Sequence, residues 1–146
     1  MNSSDELLAL GTFVKLMRAS GSVSARVHRP LAHERLSESQ FGVLEALYHL
    51  GPLYQKDLAE KILKSSGNIT MVVDNLQKQG AVERRRDQQD RRLVSVHLTD
   101  AGREMMERLF PLMAGSILRE MSALSRDELV TLARLCRKLG LSERAP

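Results

Sequence analysis

The sequence lacks a second cysteine, a long apolar run and a basic leader, and each absence removes a class of protein. Cys136 stands alone, which excludes an internal disulfide and fits a reducing compartment. No apolar stretch approaches the roughly 18 residues that cross a bilayer. The first residues, Met1-Asn2-Ser3-Ser4-Asp5-Glu6, are acidic where a secretory signal begins basic. A cytoplasmic protein with no membrane partner is the expectation. Metal chemistry is equally poorly served. His28 and His33 fall about 140° apart on a helix, with Pro30 between them, and His49 and His97 lie on other elements. There is no H-x-x-x-H spacing and no cysteine to join it. No nucleophile–base pair, glycine-rich phosphate loop or pair of catalytic carboxylates stands out. No catalytic residue, no metal and no cofactor are therefore expected. Repeats, low-complexity tracts and Pro/Gly linkers are missing too.

What is present is an ordinary globular composition, 42% hydrophobic and 27% charged over 146 residues. The net charge of +4 comes from 22 basic and 18 acidic residues, a weak argument for a polyanionic partner. The distribution is a stronger one: Arg84, Arg85, Arg86, Arg91 and Arg92 crowd against only Asp87 and Asp90.

Residues 5–28 read as a helix with an apolar stripe at Leu7, Leu10, Val14 and Leu16-Met17, ended or bent by Pro30. Ser37 with Gln40 three residues on forms a capping-box pattern ahead of a helix to Leu50, which stops at Gly51-Pro52. A third helix runs from about Gln55 to Leu63, burying Leu58, Ala59, Ile62 and Leu63. A fourth covers residues 66–80, with Ile69, Val72, Val73 and Leu76 at i, i+3, i+4 and i+7 on one face and Gly80 as its stop. Its other face carries Gly67, Thr70, Met71, Asp74, Asn75 and Lys78, too polar for core and short enough to approach another surface closely. Strands at Ala81–Arg86 and Leu93–Thr99 alternate with period two around the arginine-rich tip. Thr99-Asp100 opens a long helix bearing Met105, Leu109, Leu112, Met113, Ile117, Met121 and Leu124, with Pro111 predicting a kink or a local break. A final helix from about Arg126 to Leu139 presents Leu129, Leu132, Cys136 and Leu139 at heptad spacing. Cys136 in that stripe reads as a small buried core residue.

A polar-faced helix beside a cationic hairpin suits duplex DNA, the helix in the major groove and arginines on the backbone or in the minor groove. The fold expected is mainly α with a small β wing: a winged helix-turn-helix core plus N- and C-terminal dimerisation helices. Arg91 or Arg92 at the wing tip, helped by Arg86, is placed to contact DNA. Asp87 or Asp90 anchors one arginine. The apolar-striped outer helices exceed what a core of about 70 residues needs. They pack either on their own chain or, more economically, on a second copy.

Residues 36–109 resemble the MarR family of bacterial winged-helix regulators. The matching pieces are Leu36-Ser37, Gln40-Phe41, Leu44, Leu58-Ala59, Asn68-Ile69-Thr70, Asp74-Asn75-Leu76, Gly80 and Arg84. The most specific run is Asp87-Gln88-Gln89-Asp90-Arg91-Arg92 leading to Val96-His97-Leu98-Thr99-Asp100-Ala101-Gly102. The resemblance implies a homodimeric repressor on a pseudo-palindromic operator in double-stranded DNA, released by a small phenolic or other aromatic ligand or by an oxidant. It divides the chain into a dimerisation helix and connector (1–35), the DNA-binding domain (36–99) and C-terminal dimerisation helices (100–146).

Carried over residue by residue, Ser65, Ser66, Asn68, Thr70, Met71 and Asn75 fall on the family's recognition helix, and Arg91 and Arg92 on its wing. Many relatives carry a hydrogen-bonding residue where Met71 stands, and methionine cannot make the bidentate guanine contact. Readout then shifts to Asn68, Thr70 and Asn75, to thymine-methyl contact by Met71 and to groove shape. Asp74 is read as a salt-bridge partner of a nearby arginine, stabilising the wing together with Asp90. The family's effector pocket maps to Met17, Arg18, His28, His33 and Phe41. Its peroxide sensors place the reactive cysteine near the first helix, unlike Cys136. A protein–protein module or anti-regulator on the same fold, without specific DNA binding, is the alternative, and salt-dependent binding discriminates the two.

Overall fold

The computed structural model describes residues 3–62 and 68–142. Residues Ser65, Ser66 and Gly67, assigned above to the fourth helix, lie outside them, as does Leu63. The element order is α1 (Ser3–Val27), a 3-10 turn (Arg29–Glu34), α2 (Glu38–Leu50), β1 (Leu53–Tyr54), α3 (Gln55–Ile62), α4 (Ile69–Lys78), β2 (Val82–Arg86), β3 (Val94–Leu98), α5 (Asp100–Met121) and α6 (Arg126–Gly140). Contacts separate two units, one built from α1 and the chain after Met113, the other from residues 28–113.

The second unit is the winged core. Pro30 ends α1 and sits in the first turn of the 3-10 segment, where its missing N–H costs nothing. Ser37 Oγ accepts from Gln40 N (3.1 Å) and Gln40 Oε1 accepts from Ser37 N (2.9 Å), so the capping box that opens α2 is reciprocal. Gly51 at φ 80° closes the helix, its N–H donating to Leu47 O. Val43, Leu44 and Leu47 from α2, Leu58 from α3 and Val73 and Leu76 from α4 are fully buried with Val96 and Leu109. Burial on α4 centres on Val73 and Leu76, with Ile69 and Val72 half-buried.

The sheet has three antiparallel strands in the order β1-β3-β2. Leu53 pairs with Val96 and Tyr54 with Ser95, while the wing hairpin runs in register from Val82–Leu98 to Arg86–Val94. The first strand is a correction: the sequence reading held only the hairpin, because a two-residue strand leaves no periodicity to read. Of the two readings of Pro111, a break is excluded, since α5 stays helical through it. Met106, Leu109, Met113 and Ser116 are buried along it, and Leu124, read as part of this helix, falls in the turn beyond it.

The first unit contains α1, the end of α5, and α6. Arg26 Nε donates to Glu120 Oε2 at 2.6 Å. A second reciprocal capping box, Ser125 with Glu128, opens α6. Backbone and side-chain hydrogen bonds from Ser125 hold the Glu128 carboxyl below its ordinary pKa. No residue of α6 is buried, and α1 buries only Val27. Cys136 is exposed, contrary to the core position expected of it, on a helix that buries none of its residues. Among the described residues, no helix is long and apolar enough to cross a membrane.

Candidate nucleic-acid interface

The candidate interface comprises α4 and the wing, both within the second unit. Thr70, Met71 and Lys78 are exposed on the side of α4 opposite Val73 and Leu76, with Met71 57% exposed and Asp74 and Asn75 half-buried. Asn68 stands immediately before the helix at φ 72°, a left-handed conformation that asparagine tolerates, and makes no side-chain cap. The exposed residues give a surface of small polar groups around one thioether.

The five arginines separate into three kinds. Arg84 turns inward. Its Nη1 donates to Asp74 Oδ1 (2.6 Å) and Gln77 Oε1 (3.1 Å), its Nη2 to Thr70 O (3.0 Å) and its Nε to Gln55 Oε1 (3.0 Å). One guanidinium thereby ties strand β2 to α4 and to the start of α3. Gln55 Nε2 in turn donates to Thr70 Oγ1 at 3.1 Å. Arg85 pairs with Glu83 along the strand, Nε donating to Oε1 at 2.9 Å. Arg92 is held by Asp90, Nε to Oδ1 at 3.0 Å and Nη2 to Oδ2 at 3.1 Å, while its backbone N also donates to Oδ1. Those bonds, the side-chain ones first, keep the Asp90 carboxyl below its ordinary pKa and raise that of Arg92, with the Lys56 charge adding to the effect on Asp90. The side chains of Arg86 and Arg91 are exposed and form no hydrogen bond or ion pair among the described residues.

The wing tip is closed by Asp87 N donating to Leu93 O and Leu93 N to Asp90 O, both 3.0 Å. At its base, Ser95 Oγ donates to Arg85 O (3.1 Å) and lies 2.8 Å from His97 Nε2. Burial, then the Arg85 charge, lowers the His97 pKa, with Glu83 opposing. A shallow groove beside the wing is lined by Gln55, Lys56, Ile69 and Arg92 among others, which adds Lys56 to the cationic surface.

Sequence reasoning missed Gln55, Gln77 and Lys56, and left unnamed the arginine that pairs with Asp74. Period two was the available signal for Arg84: it lies on the same side of β2 as buried Val82, whereas Glu83 and Arg85 are exposed. Of the residues mapped to an effector pocket, Met17 and Arg18 are exposed on α1. Phe41 is buried in the core of the second unit, and His33 is exposed there. His28 Nδ1 lies 2.9 Å from Glu38 Oε1. No cluster of three or more His, Cys, Asp or Glu among the described residues is placed to hold a metal ion.

A family model described as the MarR family matches residues 36–94. The uncharacterised HTH-type transcriptional regulator YkoM of Bacillus subtilis (strain 168) is 36% identical over 133 residues, which is 91% of this chain and 86% of YkoM. The HTH-type transcriptional regulator MhqR of the same organism is 31% identical over 134 residues, 92% of each chain. Among solved structures, Bordetella bronchiseptica BpsR, whose DNA binding is regulated by 6-hydroxynicotinic acid, superposes with a TM-score of 0.79 at 26% identity, covering 88% of this chain and 91% of its own. Streptomyces coelicolor Sco3205, solved in complex with DNA, gives 0.81 at 20% identity over 96% and 88%, a likeness of fold.

Proposed function

The chain belongs to the MarR family and is a DNA-binding transcriptional regulator, and from that premise we propose that it acts as a homodimeric repressor released from a pseudo-palindromic operator by a small aromatic ligand. The observation that carries the DNA-binding mode is the pairing of an exposed polar face on α4 with two exposed arginines, Arg86 and Arg91, whose side chains make no ion pair among the described residues of the adjacent wing. In this reading Asn68, Thr70, Met71 and Asn75 face base edges in the major groove. Lys78 and Arg86 neutralise phosphates, and Arg91 enters the flanking minor groove. Ser65 and Ser66 belong to the same surface by sequence position. Asp74 and Asp90 serve it indirectly, each holding an arginine. No catalytic role is assigned.

The dimer is supported by the apolar residues left in solvent on α1 and α6, among them Leu7, Leu10, Phe13, Val130 and Leu139, each at least 60% exposed. Residues 1–35 and 100–146 then supply dimerisation and 36–99 the DNA contacts. The aromatic effector is supported by the regulation of BpsR by 6-hydroxynicotinic acid. It acts by shifting the population of dimers whose recognition helices match two half-sites about 34 Å apart.

Fluorescence anisotropy titration against the intergenic DNA beside its own gene and a scrambled duplex, at two salt concentrations, tests the reading. Tight binding to the first duplex is expected, with Arg91→Ala lowering the slope of log affinity against log salt by about one. Arg92→Ala should lower it less, since Asp90 already offsets that charge. Equal, weak, salt-insensitive binding to both duplexes would contradict it and favour an interaction module.

A further inference from the structure

The hydrogen bonds around Arg84 have a direction, and that direction reaches the exposed face of α4. A guanidinium has donors only. Whatever faces Arg84 Nε must therefore accept, which fixes the side-chain oxygen of Gln55 toward it at 3.0 Å. Arg84 cannot swing aside, because Nη1 and Nη2 are engaged by Asp74, Gln77 and the Thr70 carbonyl. With its oxygen pinned, the Gln55 amide presents Nε2 to Thr70 Oγ1 at 3.1 Å and donates to it. The Thr70 hydroxyl thus accepts on its protein side and donates to no acceptor among the described residues, which leaves its proton for the outward side, where Thr70 is exposed.

We infer that Gln55 and Arg84 are positioning residues that set the polarity of Thr70, making it a hydrogen-bond donor to DNA. The base it faces is read through an acceptor edge: purine N7, guanine O6 or thymine O4. Neither positioning residue needs to touch DNA for this. The inference rests on α4 lying in the major groove, as proposed above.

Replacing Gln55 by glutamate reverses the relay with almost no change of shape. The carboxylate still accepts from Arg84 but offers Thr70 no donor, so the threonine proton turns inward and only lone pairs face out. The test is enrichment of binding sites from a pool of random-sequence duplex DNA by the full chain, its Gln55→Glu variant and its Thr70→Val variant. In the wild-type motif, one position per half-site should require an acceptor edge. There Gln55→Glu should shift preference toward the donor edges of adenine N6 or cytosine N4, by roughly three- to tenfold as for one hydrogen bond. Thr70→Val should erase preference at that position and leave the others. Identical preferences in all three proteins, with affinity lowered uniformly, would overturn the inference and leave the relay a purely structural brace. Absence of any wild-type motif would instead remove the DNA reading, and the inference with it. Circular dichroism checks that Gln55→Glu is folded; if it is not, Thr70→Val decides alone, and retained preference overturns the idea.

Discussion

Two arginines adjacent at the wing tip have opposite environments: Arg92 is engaged by Asp90, while Arg91 makes no bond among the described residues. Proximity in sequence made them equivalent candidates, and only the turn that brings Asp90 back onto Arg92 separates them. The same limit applied to Arg84: the sequence counted it in the arginine-rich run and left unnamed the arginine that pairs with Asp74, which the register of β2 supplies. His97 gives a residue-scale prediction. Its folded pKa lies below the ordinary imidazole value, so as pH falls the unfolded chain takes up a proton first. The contribution to stability is complete above the ordinary value of about 6.5 and declines as pH falls through it toward the folded pKa. An NMR titration should find His97 at a midpoint lower than that of an unfolded histidine, with urea midpoints falling over the same window. A midpoint at or above the unfolded value contradicts the assignment.

At the scale of elements, the junction of wing and α5 explains why the run from Leu98 to Gly102 was so legible. Thr99 Oγ1 donates to Gly80 O (2.6 Å) and accepts from Gly102 N (3.0 Å), while Thr99 N donates to Ala81 O (3.1 Å). One residue caps α5 and ties off the end of α4. A Cβ on Gly102 would collide with the Ala81 carbonyl oxygen and crowd Leu98. Gly102→Ala should therefore destabilise the fold by about 1–3 kcal/mol or more, as overpacking does, measured by urea denaturation; an unchanged midpoint would show that the junction yields freely. Helix starts such as Ser37 were legible for the same reason, since the capping residue and its partner are three apart in sequence. Strand β1 was not, because only its pairing with Val96 and Ser95 makes it a strand. At Pro111 the sequence left a kink or a break of α5 open, and the helix is unbroken. Pro111 removes one backbone donor, and Glu107, whose carbonyl loses it, is an exposed residue that water can satisfy.

For the whole molecule, the outer helices are the part whose stability the single chain does not explain. An isolated helix as short as the 15 residues of α6 is marginal in water, and α6 buries no residue against the rest of the chain. The apolar stripes that the sequence displays on α1 and α6 were readable, whereas what covers them was not, because periodicity marks a buried face without naming its occupant. Sedimentation equilibrium should give twice the 16.4 kDa of one chain. Leu132→Asp with Leu139→Asp should give a monomer of reduced helicity; a wild-type monomer would sink the dimer.

The most direct measurement is a hydroxyl-radical footprint on the operator duplex, which reads minor-groove access at each sugar. The account predicts two protected half-sites centred about 34 Å apart, each flanked by a minor-groove protection that disappears in Arg91→Ala while the half-sites remain. Protection that ignores Arg91, or a single unpaired footprint, would contradict it.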